Sequence, residues 1–100
     1  MPFFMLHPKD IEITCSQKQA VIVDVRNREE YQKYHYKNAY CIPYCEKEYW
    51  LNQFHAGQTY ILYCDYGNIS LYAARKLAKR GITAYTVIGG AKELRRYFND

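Results

Sequence analysis

Three short apolar runs set the rhythm of this chain. The first, Ala20-Val21-Ile22-Val23-Asp24-Val25, is β-branched and too short for a helix, so it reads as a buried strand. The second spans 59–63 and ends in Tyr60-Ile61-Leu62-Tyr63; the third, 82–88, alternates apolar and polar positions as a strand does. Helical spacing fills the intervals. Asn27 is placed to cap a short helix with Glu29 and Glu30 in its first turn. Residues 46–54 bring Tyr49, Trp50 and Phe54 to near-helical spacing, with Trp50 and Phe54 expected in the core. Residues 71–80 put Leu71, Ala74, Leu77 and Ala78 on one stripe, with Ser70 as the expected N-cap and Gly81 as the left-handed stop. Gly89-Gly90 turns the chain into a last helix over 91–98. Between them, 34–44 is irregular, with a brief strand at Cys41-Ile42, and the first ten or so residues are expected to form an edge strand and turn. Strands alternating with helices predict a parallel sheet covered on both faces, whose ligands bind at the carboxyl ends of the strands.

Cys64 stands at such an end. It closes the second apolar run and opens the segment Asp65-Tyr66-Gly67-Asn68-Ile69-Ser70 that leads into a helix. Backbone amides in a short loop entering a helix can converge on one anion, and the helix's positive end adds to their field. Both effects favour thiolate over thiol, which is the nucleophilic form.

Composition narrows the picture further. One hundred residues, 49% of them hydrophobic, suffice for one compact domain, 1–100, and hardly for two. The tract 2–6 is too short for a secretory leader or a membrane span, and cysteines at 15, 41, 45 and 64 are too unevenly spread for a disulfide scaffold, so a reduced, cytoplasmic protein is expected. The C-x3-C spacing of Cys41 and Cys45 lacks a second matching pair, and no metal is expected. Residues 1–50 carry seven basic and seven acidic side chains, whereas 51–100 carry seven against three, so the net charge of +4 belongs to the second half. That excess sits on two predicted helices. A solvated helix face accounts for it, attraction of an anionic substrate or an acidic partner is the sharper reading, and without an aromatic-basic module nucleic acid is not expected.

Four segments in order resemble the rhodanese-like family. They are Val23-Asp24-Val25-Arg26 followed by Glu29-Glu30-Tyr31; His35, Ala39, Ile42 and Pro43; Cys64 with Gly67, Asn68 and Ser70; and Thr86-Val87-Ile88-Gly89-Gly90. The best-matching stretch is about 14–98. The resemblance implies an α/β fold with a central parallel sheet of four to five strands and helices on both faces. It also implies a sulfurtransferase in which Cys64 takes a sulfane sulfur from thiosulfate or a persulfide, holds it as a persulfide and passes it to a thiol, cyanide or a sulfur-carrier protein. The loop 65–70 would cradle the charge, no cofactor would be needed, and Asp24, Arg26 and His35 would be supporting residues: Asp24 towards loop amides, Arg26 towards an acid such as Glu30, His35 as a loop anchor. No membrane partner is implied.

Two positions depart from the family pattern. Many active members carry a basic residue directly after the cysteine and another five positions after it; here they are Asp65 and Ile69. An acidic neighbour repels a dianion such as thiosulfate, so weak thiosulfate activity is expected if the Asp65 carboxylate faces the pocket unpaired. The alternative reading is a catalytically weak module that binds a partner or senses redox state. A phosphatase of related fold is not expected, because neither Ile69 nor Ser70 can grip phosphate oxygens in two places as arginine does.

Overall fold

A computed structural model describes residues 3–98; residue 2 of the tract read as too short for a leader lies outside them. Five strands form one wholly parallel sheet: β1 (Phe4–Leu6), β2 (Val21–Asp24), β3 (Tyr40–Cys41), β4 (Tyr60–Tyr63) and β5 (Ala84–Val87), in the spatial order β1-β5-β4-β2-β3. Five α-helices accompany it: α1 (Ile11–Lys18), α2 (Arg28–Lys33), α3 (Glu48–Leu51), α4 (Asn68–Lys79) and α5 (Gly90–Phe98). The expected parallel α/β sheet is therefore present, with β1 and β3 as its edges.

The period of two along β4 builds the two layers. Tyr60, Leu62 and Cys64 pack with Trp50, Ala74 and Leu77 on the α3/α4 side. Ile61 and Tyr63 point the other way, to Ile11 and Leu94 of α1 and α5. Every residue of β4 is buried, as expected of a central strand in a parallel sheet. Trp50 and Phe54 lie in the core as the sequence predicts, and the Trp50 indole N–H donates to the Ile42 carbonyl at 3.2 Å. Several tyrosines serve the same packing. Tyr44 and Trp50 meet edge to face, as do Phe54 and Tyr60, so the rings form a run along the core margin.

Three expectations are corrected. Helix α1 went unread because its apolar residues do not keep to one side: Ile11 is buried and Ile13 is exposed. Helix α3 is shorter than 46–54, running only Glu48–Leu51. Helix α4 starts at Asn68, before Ser70, and its N-cap is Gly67 at φ 107°. A residue in that left-handed region is best a glycine, and its use lets the helix begin three residues early. At the other end Gly81, at φ 77°, stops α4 as predicted: its amide donates to Ala78 and that of Ile82 to Leu77, a Schellman pair.

Strand order also places the ligand crevice. From β2 the chain moves outward to β3, and from β4 it moves the opposite way to β5. The carboxyl ends of β2 and β4 therefore flank a topological switch point, the position at which open α/β sheets bind their ligands. Arg26 follows one strand and Cys64 the other.

Candidate active site

At the end of β4 the Cys64 side chain turns under the start of α4. Its Sγ accepts hydrogen bonds from the amides of Gly67 at 3.2 Å and Ser70 at 3.3 Å, and the Ser70 hydroxyl lies 3.5 Å away. Among the described residues these are the two loop amides that bond the sulfur; Asp65, Tyr66, Asn68 and Ile69 contribute walls rather than such bonds. Cys64 as a residue is only 4% exposed, yet it lines an open cavity of about 220 Å³ with Val25, Asn27, Tyr66, Asn68 and Ile69. The sulfur is thus shielded on the core side and reachable from the crevice.

Ser70 holds this arrangement from beneath. Rather than capping α4, its buried hydroxyl sits 2.7 Å from the Thr86 hydroxyl on β5 and also reaches the Gly67 carbonyl at 3.4 Å. Thr86 is 1% exposed and escaped the sequence reading as a site residue. The signal was there: alternation along β5 puts Thr86 in phase with Ala84, which faces α4.

Helix α5 closes the loop from the other side. The Ala91 amide donates to the Cys64 carbonyl at 2.7 Å and the Lys92 amide to the Asp65 carbonyl at 3.2 Å. A side chain at Gly90 would put its Cβ 2.6 Å from the Asp65 carbonyl oxygen and against that of Cys64 as well. The second glycine of Gly89-Gly90 therefore lets a helix start dock directly on the cysteine loop.

The neighbouring crevice wall is ionic. Asp24, fully buried, accepts from the Arg26 backbone amide at 2.9 Å and from its guanidinium at 2.8–3.2 Å. Burial works against the charged guanidinium, but the hydrogen bonds and charge of Asp24 outweigh it and hold the Arg26 pKa above its ordinary value. Burial, followed by the Asp24 charge, pushes the Tyr63 phenol upward, and this hydroxyl accepts the Tyr36 amide at 2.9 Å. Asp24 bonds the Arg26 amide of its own loop and none in the cysteine loop, and the acids that Arg26 pairs with are Asp24 and Asp65, not Glu30. Asp65 is half exposed, with Oδ1 3.5 Å from the guanidinium. Its carboxylate meets a cation at the crevice rim. His35 stacks on Tyr31 at 3.9 Å and shares a hydrogen bond of 2.9 Å with the Tyr31 carbonyl, so it anchors its own loop; it does not line the Cys64 cavity. Among the described residues no cluster of three or more metal-ligating side chains occurs.

Comparison with known proteins bears on this crevice. A family model described as Rhodanese-like domain matches residues 8–96. Two proteins named tRNA sulfurtransferase are similar: that of Thermoplasma acidophilum, 43% identical over 68 residues, and that of Pyrobaculum aerophilum, 38% identical over 80. Those stretches cover 68% and 80% of this chain but only 14% and 16% of the relatives, so the chain spans about a sixth of their length. A rhodanese-like domain protein from Staphylococcus aureus superposes with a TM-score of 0.80 at 28% identity, covering 91% of this chain and 90% of that one. A rhodanese-related protein from Thermoplasma volcanium gives 0.81 at 21% identity, covering 94% and 92%, a likeness of fold.

Proposed function

The chain belongs to the rhodanese-like domain family, and on that premise we propose that it is a sulfurtransferase working through a persulfide on Cys64. The Cys64 thiolate attacks the outer sulfur of a donor R–S–SH; the donor's S–S bond breaks, its electron pair leaves as RS⁻, and a new S–S bond forms on Cys64. An acceptor thiolate then attacks the outer sulfur and releases Cys64 as thiolate. Electrons balance within the two exchanges, so the chemistry calls for no metal or organic cofactor. The observation that carries the reading is the pair of amides from Gly67 and Ser70 aimed at Sγ beside an open cavity. Fixed donors of this kind stabilise negative sulfur without reorganising during the reaction.

The donor is a persulfide in preference to thiosulfate. Asp65 and Ile69 leave the loop without a cation of its own, and Asp65 brings a carboxylate to the cavity wall. Its partner Arg26 is already engaged by Asp24, so the pair neutralises Asp65 only in part. Asp65→Asn should raise the thiosulfate rate by roughly threefold, the effect of one half-exposed, screened charge. A lower rate would oppose this account of the loop.

The relatives' name couples sulfur transfer to tRNA in those proteins; the exchange written above delivers sulfur to a thiolate, so a tRNA would receive sulfur from Cys64 by way of such a thiol acceptor and not directly. The sequence-based exclusion of nucleic acid therefore finds no support. Intact mass after incubation with a persulfide donor tests the central claim: one added sulfur is expected, absent in Cys64→Ser and removed by an acceptor thiol. Sulfur loading that persists in Cys64→Ser, or that no thiol removes, would overturn it.

A further inference from the structure

The Cys64 cavity has a neighbour. A second cavity of about 370 Å³ shares Arg26, Asp65 and Tyr66 with it and is completed by Glu30, Lys92 and Arg95. The charges lining it are not all spoken for. Arg26 is held by Asp24, Asp65 lies 3.5 Å from Arg26, and Glu30 faces Lys33 at 3.3 Å. Lys92 and Arg95 have no ion-pair partner among the described residues. Each lies over a ring instead, Lys92 5.6 Å from the centre of Tyr66 and Arg95 5.0 Å from that of Tyr34. Such contacts orient a cation and leave its charge unneutralised.

Both cations are also tied to the reacting loop. The Lys92 amide donates to Asp65, Gly90 fits against the loop carbonyls only as glycine, and Arg95 follows Lys92 by three residues on the same helical face. The two cations line the cavity that adjoins the sulfur's own, and Asp65 lines both. Thiosulfate carries its charge on the reacting group, next to the Asp65 carboxylate. A molecule whose charge lies on a tail can put its sulfur at Cys64 and its anion in the adjoining cavity.

The geometry points to the Lys92/Arg95 groove as a carboxylate subsite for the sulfur substrate of Cys64, which is then a small thiol or persulfide bearing a carboxylate away from its sulfur. This deepens the proposed sulfur transfer and rests on it for the word substrate. The paired cavities are of the size that small-molecule sites occupy.

Two alkylating probes with one electrophile and different tails test it: N-bromoacetylglycine, a carboxylate, and N-bromoacetylglycinamide, which is neutral. With the full chain at low salt, peptide mass mapping should show Cys64 alkylated about fivefold faster by the anionic probe, the size of one screened ion pair. That preference should fall to about one in Lys92→Ala/Arg95→Ala, persist in Lys92→Arg/Arg95→Lys, and shrink as salt is raised. No preference in the wild type, a preference untouched by the double alanine variant, or a Cys64 that reacts with neither probe would overturn the inference. Alkylation needs no sulfur donor, so its outcome is separable from that of the persulfide assay: a chain that takes up no sulfur but keeps the charge preference loses the proposed reaction and keeps the anion groove.

Discussion

Two strand-to-helix loops meet at the switch point, and they use the same local chemistry to opposite ends. After β2, Asn27 caps α2 in the ordinary way: its side-chain oxygen accepts the Glu30 amide at 2.9 Å, and Asp24 takes up the Arg26 amide. After β4, the N-cap of α4 is Gly67, which has no side chain to offer, and the amides of Gly67 and Ser70 are met by sulfur. The first loop satisfies the Arg26 and Glu30 amides from within and so closes that set of donors, while its side chains line the cavities. The second leaves that task to the Cys64 sulfur, so a charged sulfur there would receive stabilisation that the first loop spends on itself.

The closed loop should be the one whose rupture harms folding most. Asp24→Ala removes the carboxylate that compensates a buried guanidinium, and breaking such a pair from one side costs about 3–5 kcal/mol. Urea denaturation of variant and wild type measures it; a loss under 1 kcal/mol would mean that Arg26 finds solvent or Asp65 instead. The carboxylate is not interchangeable with the cysteine loop's donors, because it never touches them.

Gly67→Ala probes the open loop and comes next in size. A Cβ at φ 107° costs roughly 1–2 kcal/mol, and the natural relief is for α4 to start later. Such a shift takes one or both amides off the sulfur, so sulfur uptake by Cys64 should slow along with the loss of stability. Retained stability with slowed uptake would locate the effect in the amides alone, and retained uptake with lost stability would show that they matter little to the chemistry.

Asn27→Ala should be milder, about 1 kcal/mol by thermal or urea melts, since it removes one side-chain cap from a short exposed helix. Equal costs at Asn27 and Asp24 would erase the distinction between a capping bond and a buried ion pair.

How far these two loops could be read in advance follows from what fixes each. Asn27 announces its cap because the bond is local, three residues along one turn. Cys64 is legible because the apolar run ends on it and a glycine follows within three positions. Ser70 was misread for the same reason that Asn27 was read correctly: local rules assign a serine before a helix to capping, whereas its actual partner, Thr86, is sixteen residues away across a strand pairing that only the sheet creates. The Asp24–Arg26–Asp65 chain was hidden likewise, since 39 residues separate Arg26 from Asp65 and their approach depends on β2 lying beside β4. Helix α1 was missed because its packing, and not its periodicity, holds it.

The smallest effect concerns a thiol that copies the open loop in part. Cys45 sits just before α3, and a hydrogen bond from the Tyr49 hydroxyl, with a second from the Lys47 amide, lowers its pKa below the ordinary value. Cys15 and Cys41 move the other way, both chiefly through burial. In a Cys64→Ser background Cys45 should therefore be alkylated by iodoacetamide before Cys41 and Cys15. A lowered pKa means that a larger share of Cys45 is already thiolate near neutrality, so its lead is greatest there and narrows as rising pH ionises the other two. Peptide mapping across pH 6.5–9 reads the order, and earlier labelling of Cys15 or Cys41 would count against donor hydrogen bonds as the source of thiol reactivity in this fold. If Cys45 leads, donor hydrogen bonds, the Tyr49 hydroxyl first and the Lys47 amide second, are enough to sharpen a thiol beside a helix start in this fold.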